Sequence, residues 1–177
     1  GQTTANSTPF AVRADDVYAQ GSIALPAVTI TGTAGANYEA VTPAGTVNNT
    51  VVDDADATVV NLSVSSAAVT EGSSVTYTVS VANAVTGSPL AVTLNNGQII
   101  TIPVGQTSAT GPAIILRPDD ALVQGSTTTT AAISGTAGGL YEALNTSATA
   151  VTTVTDGTAT PTTVTLDSLR SWATPVR

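Results

Sequence analysis

A ten-residue segment occurs twice in this chain, and its recurrence limits the possible fold more than any other feature. Arg13-Ala14-Asp15-Asp16-Val17-Tyr18-Ala19-Gln20-Gly21-Ser22 returns as Arg117-Pro118-Asp119-Asp120-Ala121-Leu122-Val123-Gln124-Gly125-Ser126, 104 positions on. Gly32-Thr33-Ala34-Gly35 with Tyr38-Glu39-Ala40 returns as Gly135-Thr136-Ala137-Gly138 with Tyr141-Glu142-Ala143, at an offset of 103, so one gap separates the two blocks. A period near 104 exceeds that of short solenoid repeats and equals a small whole β-domain. The 177 residues therefore read as a window on a tandem array.

The repeat divides the chain. Residues 1–53 match 105–156 and read as the C-terminal part of one repeat. Residues 54–58 form an acidic linker, and 59–156 read as one complete repeat. Residues 157–161 form a second linker. Residues 162–177 read as the start of a third repeat with a divergent tail that holds Trp172.

Within the complete repeat, Val75, Tyr77, Val79 and Val81 alternate with Thr76, Thr78 and Ser80. That period of two gives a strand with one buried and one wet face. Asn95-Asn96-Gly97 marks a tight hairpin, because these residues tolerate positive φ. Seven strands are expected, at 59–65, 74–81, 90–94, 98–104, 113–117, 127–134 and 148–155. Short antiparallel strands at this spacing predict an all-β fold of immunoglobulin-like β-sandwich repeats in tandem, with a β-barrel as the alternative.

Composition narrows function. The chain has no His, Cys, Met or Lys, so the commonest general bases and nucleophiles are missing, and we expect no enzymatic activity. A net charge of −8 disfavours nucleic acid and anionic membrane as partners. No apolar run approaches spanning length, so membrane insertion is not expected.

Nine of the 12 acids fall where strand parity places repeat ends: Asp15, Asp16, Asp53, Asp54, Asp56, Glu71, Asp119, Asp120 and Asp156. Clustered carboxylates repel unless neutralised. Ca²⁺ accepts six to eight oxygen ligands in flexible geometry, whereas nitrogen and sulfur ligands for zinc or copper are absent. Calcium is therefore the expected cofactor, chiefly at Asp15, Asp16, Asp53, Asp54 and Asp56. The plain alternative is that Arg13 and Arg117 pair with neighbouring acids without a metal. Glu142 is expected in a loop at the opposite pole, facing the preceding linker, with Tyr38 and Tyr141 as packing anchors beneath that loop.

The order Val69-Thr70-Glu71-Gly72, Val75-Thr76-Tyr77-Thr78-Val79, Val92-Thr93-Leu94-Asn95-Asn96-Gly97, Ile100-Thr101-Ile102-Pro103-Val104-Gly105, Asp119-Asp120, Tyr141-Glu142 and Val151-Thr152-Thr153-Val154-Thr155-Asp156 resembles the immunoglobulin-like repeats of giant bacterial surface adhesins. These are the RTX-type, type-1-secreted adhesins of biofilms. The likeness covers 1–166, and Calx-β domains are more distantly similar. The resemblance implies an extracellular extender at the bacterial cell surface, stiffened by calcium near its linkers. Its partners would be neighbouring repeats of the same array. A fibre subunit that exchanges β-strands with identical chains is the alternative, because exposed edges invite strand addition. A carbohydrate-binding module fits less well, since Trp172 alone makes a poor aromatic platform.

Overall fold

Alternation at 74–81 has its structural counterpart in a buried row: Val75, Tyr77, Val79 and Val81 all point inward. The structure, a computed structural model, describes residues 2–35, 37–158 and 161–166. Trp172 and the tail from 167 lie outside the described residues, as do 159 and 160 of the second linker. No α-helix occurs among the described residues.

In chain order, the first unit holds β1 (Ile23–Ala24), β2 (Val28–Thr29), β3 (Thr46–Val47) and β4 (Thr50–Val51). The second begins with β5 (Ala57–Val59), β6 (Asn61–Val64), β7 (Ala68–Thr70), β8 (Ser74–Val75) and β9 (Tyr77–Ser80). It continues with β10 (Leu90–Leu94), β11 (Ile99–Ile102), β12 (Ser108–Thr110) and β13 (Ile114–Ile115). It ends with β14 (Thr127–Ala137), β15 (Ala143–Asn145) and β16 (Thr149–Thr155).

The second unit is a β-sandwich. One sheet runs β11-β10-β14-β16-β7, and the facing one runs β12-β9-β6 with the pair β13-β8 continuing the same two segments. Leu90, Val92 and Leu94 of β10 and Ile100 and Ile102 of β11 meet Leu62, Val75, Tyr77 and Val79 in one core. Each fully buried aliphatic of this kind contributes about 1.5–3 kcal/mol. At the Asn95-Asn96-Gly97 hairpin, Gly97 has φ +84° and its N–H donates to the Leu94 carbonyl at 2.9 Å. Leu94 N–H donates to Gln98 O at 2.8 Å, closing a three-residue loop.

One expectation is corrected: pairing is not antiparallel throughout, because beside β6, which lies within the expected 59–65, the start of the second unit holds β5 and β7. β6 pairs antiparallel with β9, and β7 then runs parallel to β16. The crossing at 65–67 is fastened on both sides, by Ser65 N–H on Thr76 O and by Thr153 N–H on Ala67 O, each 2.9 Å. Switching sheets lets one short segment cover an edge of each, which limits exposed backbone. β5 is likewise parallel, to β15, a strand the alternation pattern does not reveal.

The first unit explains the single gap between the repeat blocks. In the second unit Thr127 faces Val154 and Ala131 faces Ala150 along one unbroken register. The matching pairs in the first unit are Ile23 with Val51 and Val28 with Val47, so one extra residue lies between β1 and β2. That stretch is Leu25-Pro26-Ala27. An inserted residue in one strand of a pair is a β-bulge, and a bulge also accommodates a proline that cannot donate to the ladder.

Candidate functional site

The repeated segment folds twice into the same arginine-centred knot. In the second unit, Arg117 Nε donates to Glu71 Oε2 at 3.0 Å and Nη1 donates to Gly125 O at 2.9 Å. Its Nη2 lies 3.5 Å from Asp156 Oδ1, an ionic contact longer than a good hydrogen bond, and neither atom has another partner. Asp120 accepts from Leu122 N–H at 2.7 Å and from the Gln124 amide, while Asp156 accepts from Gln124 N–H at 3.2 Å. In the first unit, Arg13 Nη2 pairs with Asp53 at 2.5 Å and Nη1 donates to Gly21 O at 2.8 Å. Asp16 accepts from Tyr18 N–H at 2.8 Å and from the Gln20 amide, and Asp53 accepts from Gln20 N–H at 2.7 Å. A guanidinium suits this task because its fixed fork of donors can serve a carboxylate and a carbonyl together. Glu71 belongs to the part of the repeat, 54–104, that residues 1–53 do not match.

Glu71 is buried, which is rare for an acid without a partner. Its Oε1 accepts from Gly157 N–H at 3.1 Å, and its own N–H donates to Thr155 O at 2.9 Å. Asp119 stands beside it: a Cβ on Gly72 would come within 2.9 Å of the Asp119 Cβ, and Gly72 has φ +75°. Glu71, Asp119, Asp120 and Asp156 thus gather at one end of the second unit.

Eight of the nine acids fall into two groups, and Asp119, beside Gly72 and Gly157, belongs to neither. Asp16, Asp53, Asp120, Asp156 and Glu71 each hold an arginine or a loop amide. Asp15, Asp54 and Asp56 instead face one another, with one carboxylate oxygen from each lying within 4.8 Å of the other two. Asp54 first, then Asp56, pushes the exposed Asp15 carboxyl above its ordinary range by charge repulsion. The donors are all oxygen, as a hard cation requires. In the second linker the matching positions are Asp119, Gly157 and Ala159, so the trio is not repeated in sequence.

The first linker meets the second unit at loop 138–142. Glu142 Oε2 accepts from Asp56 N–H at 2.6 Å, so Glu142 faces the preceding linker as expected. Beside it lies a joint that sequence reasoning missed. Tyr18 and Tyr141 form an antiparallel β-bridge, and their rings stack with centroids 5.6 Å apart. Ala19 N–H donates to Leu140 O at 2.8 Å and Glu142 N–H to Val17 O at 3.1 Å. Tyr18 Oη donates to Ala84 O at 2.7 Å and Tyr141 Oη to Asn83 O at 2.6 Å. Tyr38 does not anchor its own loop; it is 76% exposed. The one sequence signal was that 17–19 and 121–123 differ at all three positions, between an Asp-Asp pair and a Gln-Gly-Ser that both copies keep.

Residues 56–158 match the family model described as the LapA domain, more than half of the 177-residue chain. Comparison with curated proteins and with solved structures gives no match.

Proposed function

We propose that this chain, which belongs to the LapA domain family, is a structural extender of a large bacterial cell-surface adhesin that acts in adhesion and biofilm formation. The observation that carries this reading is the family match over 56–158, laid on a β-sandwich whose terminal knot recurs at the repeat period. A protein of this kind works by reach, and its chemistry is that of joints. Among the described residues no helix is long and apolar enough to cross a membrane. Deleting the coding segment from producing cells should reduce attached biomass while the shortened adhesin still reaches the surface. Unchanged attachment would remove the reading.

We further propose that calcium stiffens the first linker, bound by Asp15, Asp54 and Asp56. Their mutual approach within 4.8 Å supports this, since a divalent ion would turn repulsion into a tie between units. Backbone carbonyls and water would complete the six to eight ligands. An extracellular site of this kind can be as weak as about 10⁻⁴–10⁻³ M. Titration calorimetry should show binding that D54N/D56N abolishes, and heat signals identical in both proteins would exclude it.

One observation favours assembly by strand exchange as a second reading. Val28 and Val47 are 60% and 57% exposed, whereas their counterparts Ala131 and Ala150 are buried. Among the described residues the first unit holds β1–β4 alone, and they leave that face open. The mass of the native product separates the readings: a chain of this length for a subunit, a far larger one for an adhesin.

A further inference from the structure

The joint at Tyr18 and Tyr141 is built from two loops, and each loop has a sequence counterpart elsewhere in the chain. The donor loop 17–19 corresponds to 121–123 and the socket loop 140–142 to 37–39. Loop 121–123 is held in the same frame as loop 17–19. Asp120 accepts from Leu122 N–H at 2.7 Å, as Asp16 accepts from Tyr18 N–H at 2.8 Å. The knots beneath repeat as well, Arg13 on Gly21 O and Arg117 on Gly125 O. The backbone that meets Leu140 and Glu142 in the first joint is thus presented again at the far end of the second unit. There Leu122 and Val123 are 68% and 93% exposed. Two adjacent large aliphatics held out of the fold by a polar frame are a poor use of apolar surface unless something covers them.

We propose that the Leu122–Val123 edge is a docking surface for the tyrosine loop of another repeat of this same kind, forming a second joint on the plan of the first. The occupant follows from continuity with the joint already present: the same frame, at the same position of the repeat, already engages loop 140–142. The inference rests on the extender reading and adds to it the means by which successive units couple without a metal. The second joint differs in one respect. Leucine has no hydroxyl to give to the carbonyl that Ala84 offers Tyr18, so it relies on backbone bonds and apolar contact.

The chain contains no cysteine, so introduced thiols are the only ones present. Residues facing each other in an antiparallel bridge lie about 4.5–5.5 Å apart at Cα. That is within the roughly 4.4–6.8 Å range of a disulfide. The test uses the full chain lengthened by one copy of 59–156 inserted after Thr162, which keeps the second linker and adds no Asp54 or Asp56 to it. Leu122→Cys is paired with Tyr141→Cys of the inserted copy. Under mild oxidation this pair should cross-link several-fold faster than Leu122→Cys with Thr101→Cys of the inserted copy. Its rate should be comparable to that of Tyr18→Cys with Tyr141→Cys in the unlengthened protein. A rate no greater than that of the Thr101 pair overturns the proposal. Hydrogen exchange gives a thiol-free check. The Val123 amide should exchange more slowly in the lengthened chain, and Leu122→Asp should abolish that protection. Equal exchange in both chains also overturns it. Either failure leaves the biofilm deletion result untouched, since an extender with loose joints still extends.

Discussion

Arg117 and Glu71 stand 46 positions apart in sequence and 3.0 Å apart in space, with 2% of the glutamate side chain left in contact with solvent. The pair ties the turn after β7 to the loop after β13. Breaking one side of a buried pair strands the other charge. Arg117→Ala should therefore cost about 3–5 kcal/mol. Arg13→Ala removes a pair that is part-exposed on both sides and should cost nearer ~1 kcal/mol. Urea unfolding of the two variants measures the difference, and equal losses would contradict it.

Gly138 and Gly35 occupy the same place in the repeat with nearly the same backbone, φ +82° and +81°. A Cβ at Gly138 would lie 2.1 Å from Pro89 O, whereas one at Gly35 meets nothing within 4 Å. Gly35→Ala should cost only the left-handed penalty, about 1–2 kcal/mol. Gly138→Ala adds a backbone clash and should lower the melting temperature much further. Similar melting temperatures for the two variants would count against this.

Acid should ease the first linker. Asp54 and Asp56 raise the Asp15 pKa, so the folded protein favours the protonated acid. The repulsion is absent below the ordinary aspartate range and fully present above the raised value. Stability at the linker therefore grows as pH falls through that window. A carboxyl NMR titration should place the Asp15 midpoint above the ordinary value, and D54N/D56N should bring it down. A midpoint that ignores the double change would show that the neighbours are not the cause.

Tyr18→Phe removes one donor and leaves the Ala84 carbonyl to water, a loss of about 0.5–1.5 kcal/mol. Tyr18→Ala also removes the ring stack on Tyr141, a further ~0.5–1.5 kcal/mol beyond area. Both act on the joint, so amide exchange at Ala19 and Glu142 should quicken in that order. Exchange at the β10 and β14 amides should not change. A uniform rise across the second unit would mean that Tyr18 supports the fold and not the joint.

The sandwich was legible because its cause is local. Val75, Tyr77, Val79 and Val81 declare a buried face by alternation, and Asn96-Gly97 declares its turn by backbone freedom. The direction of β7 was not legible, because it depends on where the chain crosses between sheets at 65–67, and no periodicity records a crossing. The acids were legible as a set but not in their division. Arg13 takes Asp53 and leaves Asp54 to face Asp15, a choice between neighbours that strand orientation makes and composition does not. Tyr18 was hidden for another reason: its partners Ala84 and Tyr141 are distant in sequence.

The parallel run of β7 beside β16 has a mechanical consequence. Ala68, Val69 and Thr70 face Thr153, Val154 and Thr155, near the beginning and at the end of the second unit. Tension along an array pulls on the two ends in opposite directions, and two parallel strands then slide past each other lengthwise. In that geometry the bonds between them bear load together, including Thr153 N–H on Ala67 O and Glu71 N–H on Thr155 O. They do not open one after another as in a peeled hairpin. Yielding under load is governed by an unfolding rate and not by equilibrium stability. Single-molecule pulling should therefore show the second unit giving way in one abrupt rip. The clamp sits beside the Arg117–Glu71 pair, so Arg117→Ala should lower the force of that rip, and a gradual low-force extension of the unaltered unit would show that no clamp exists.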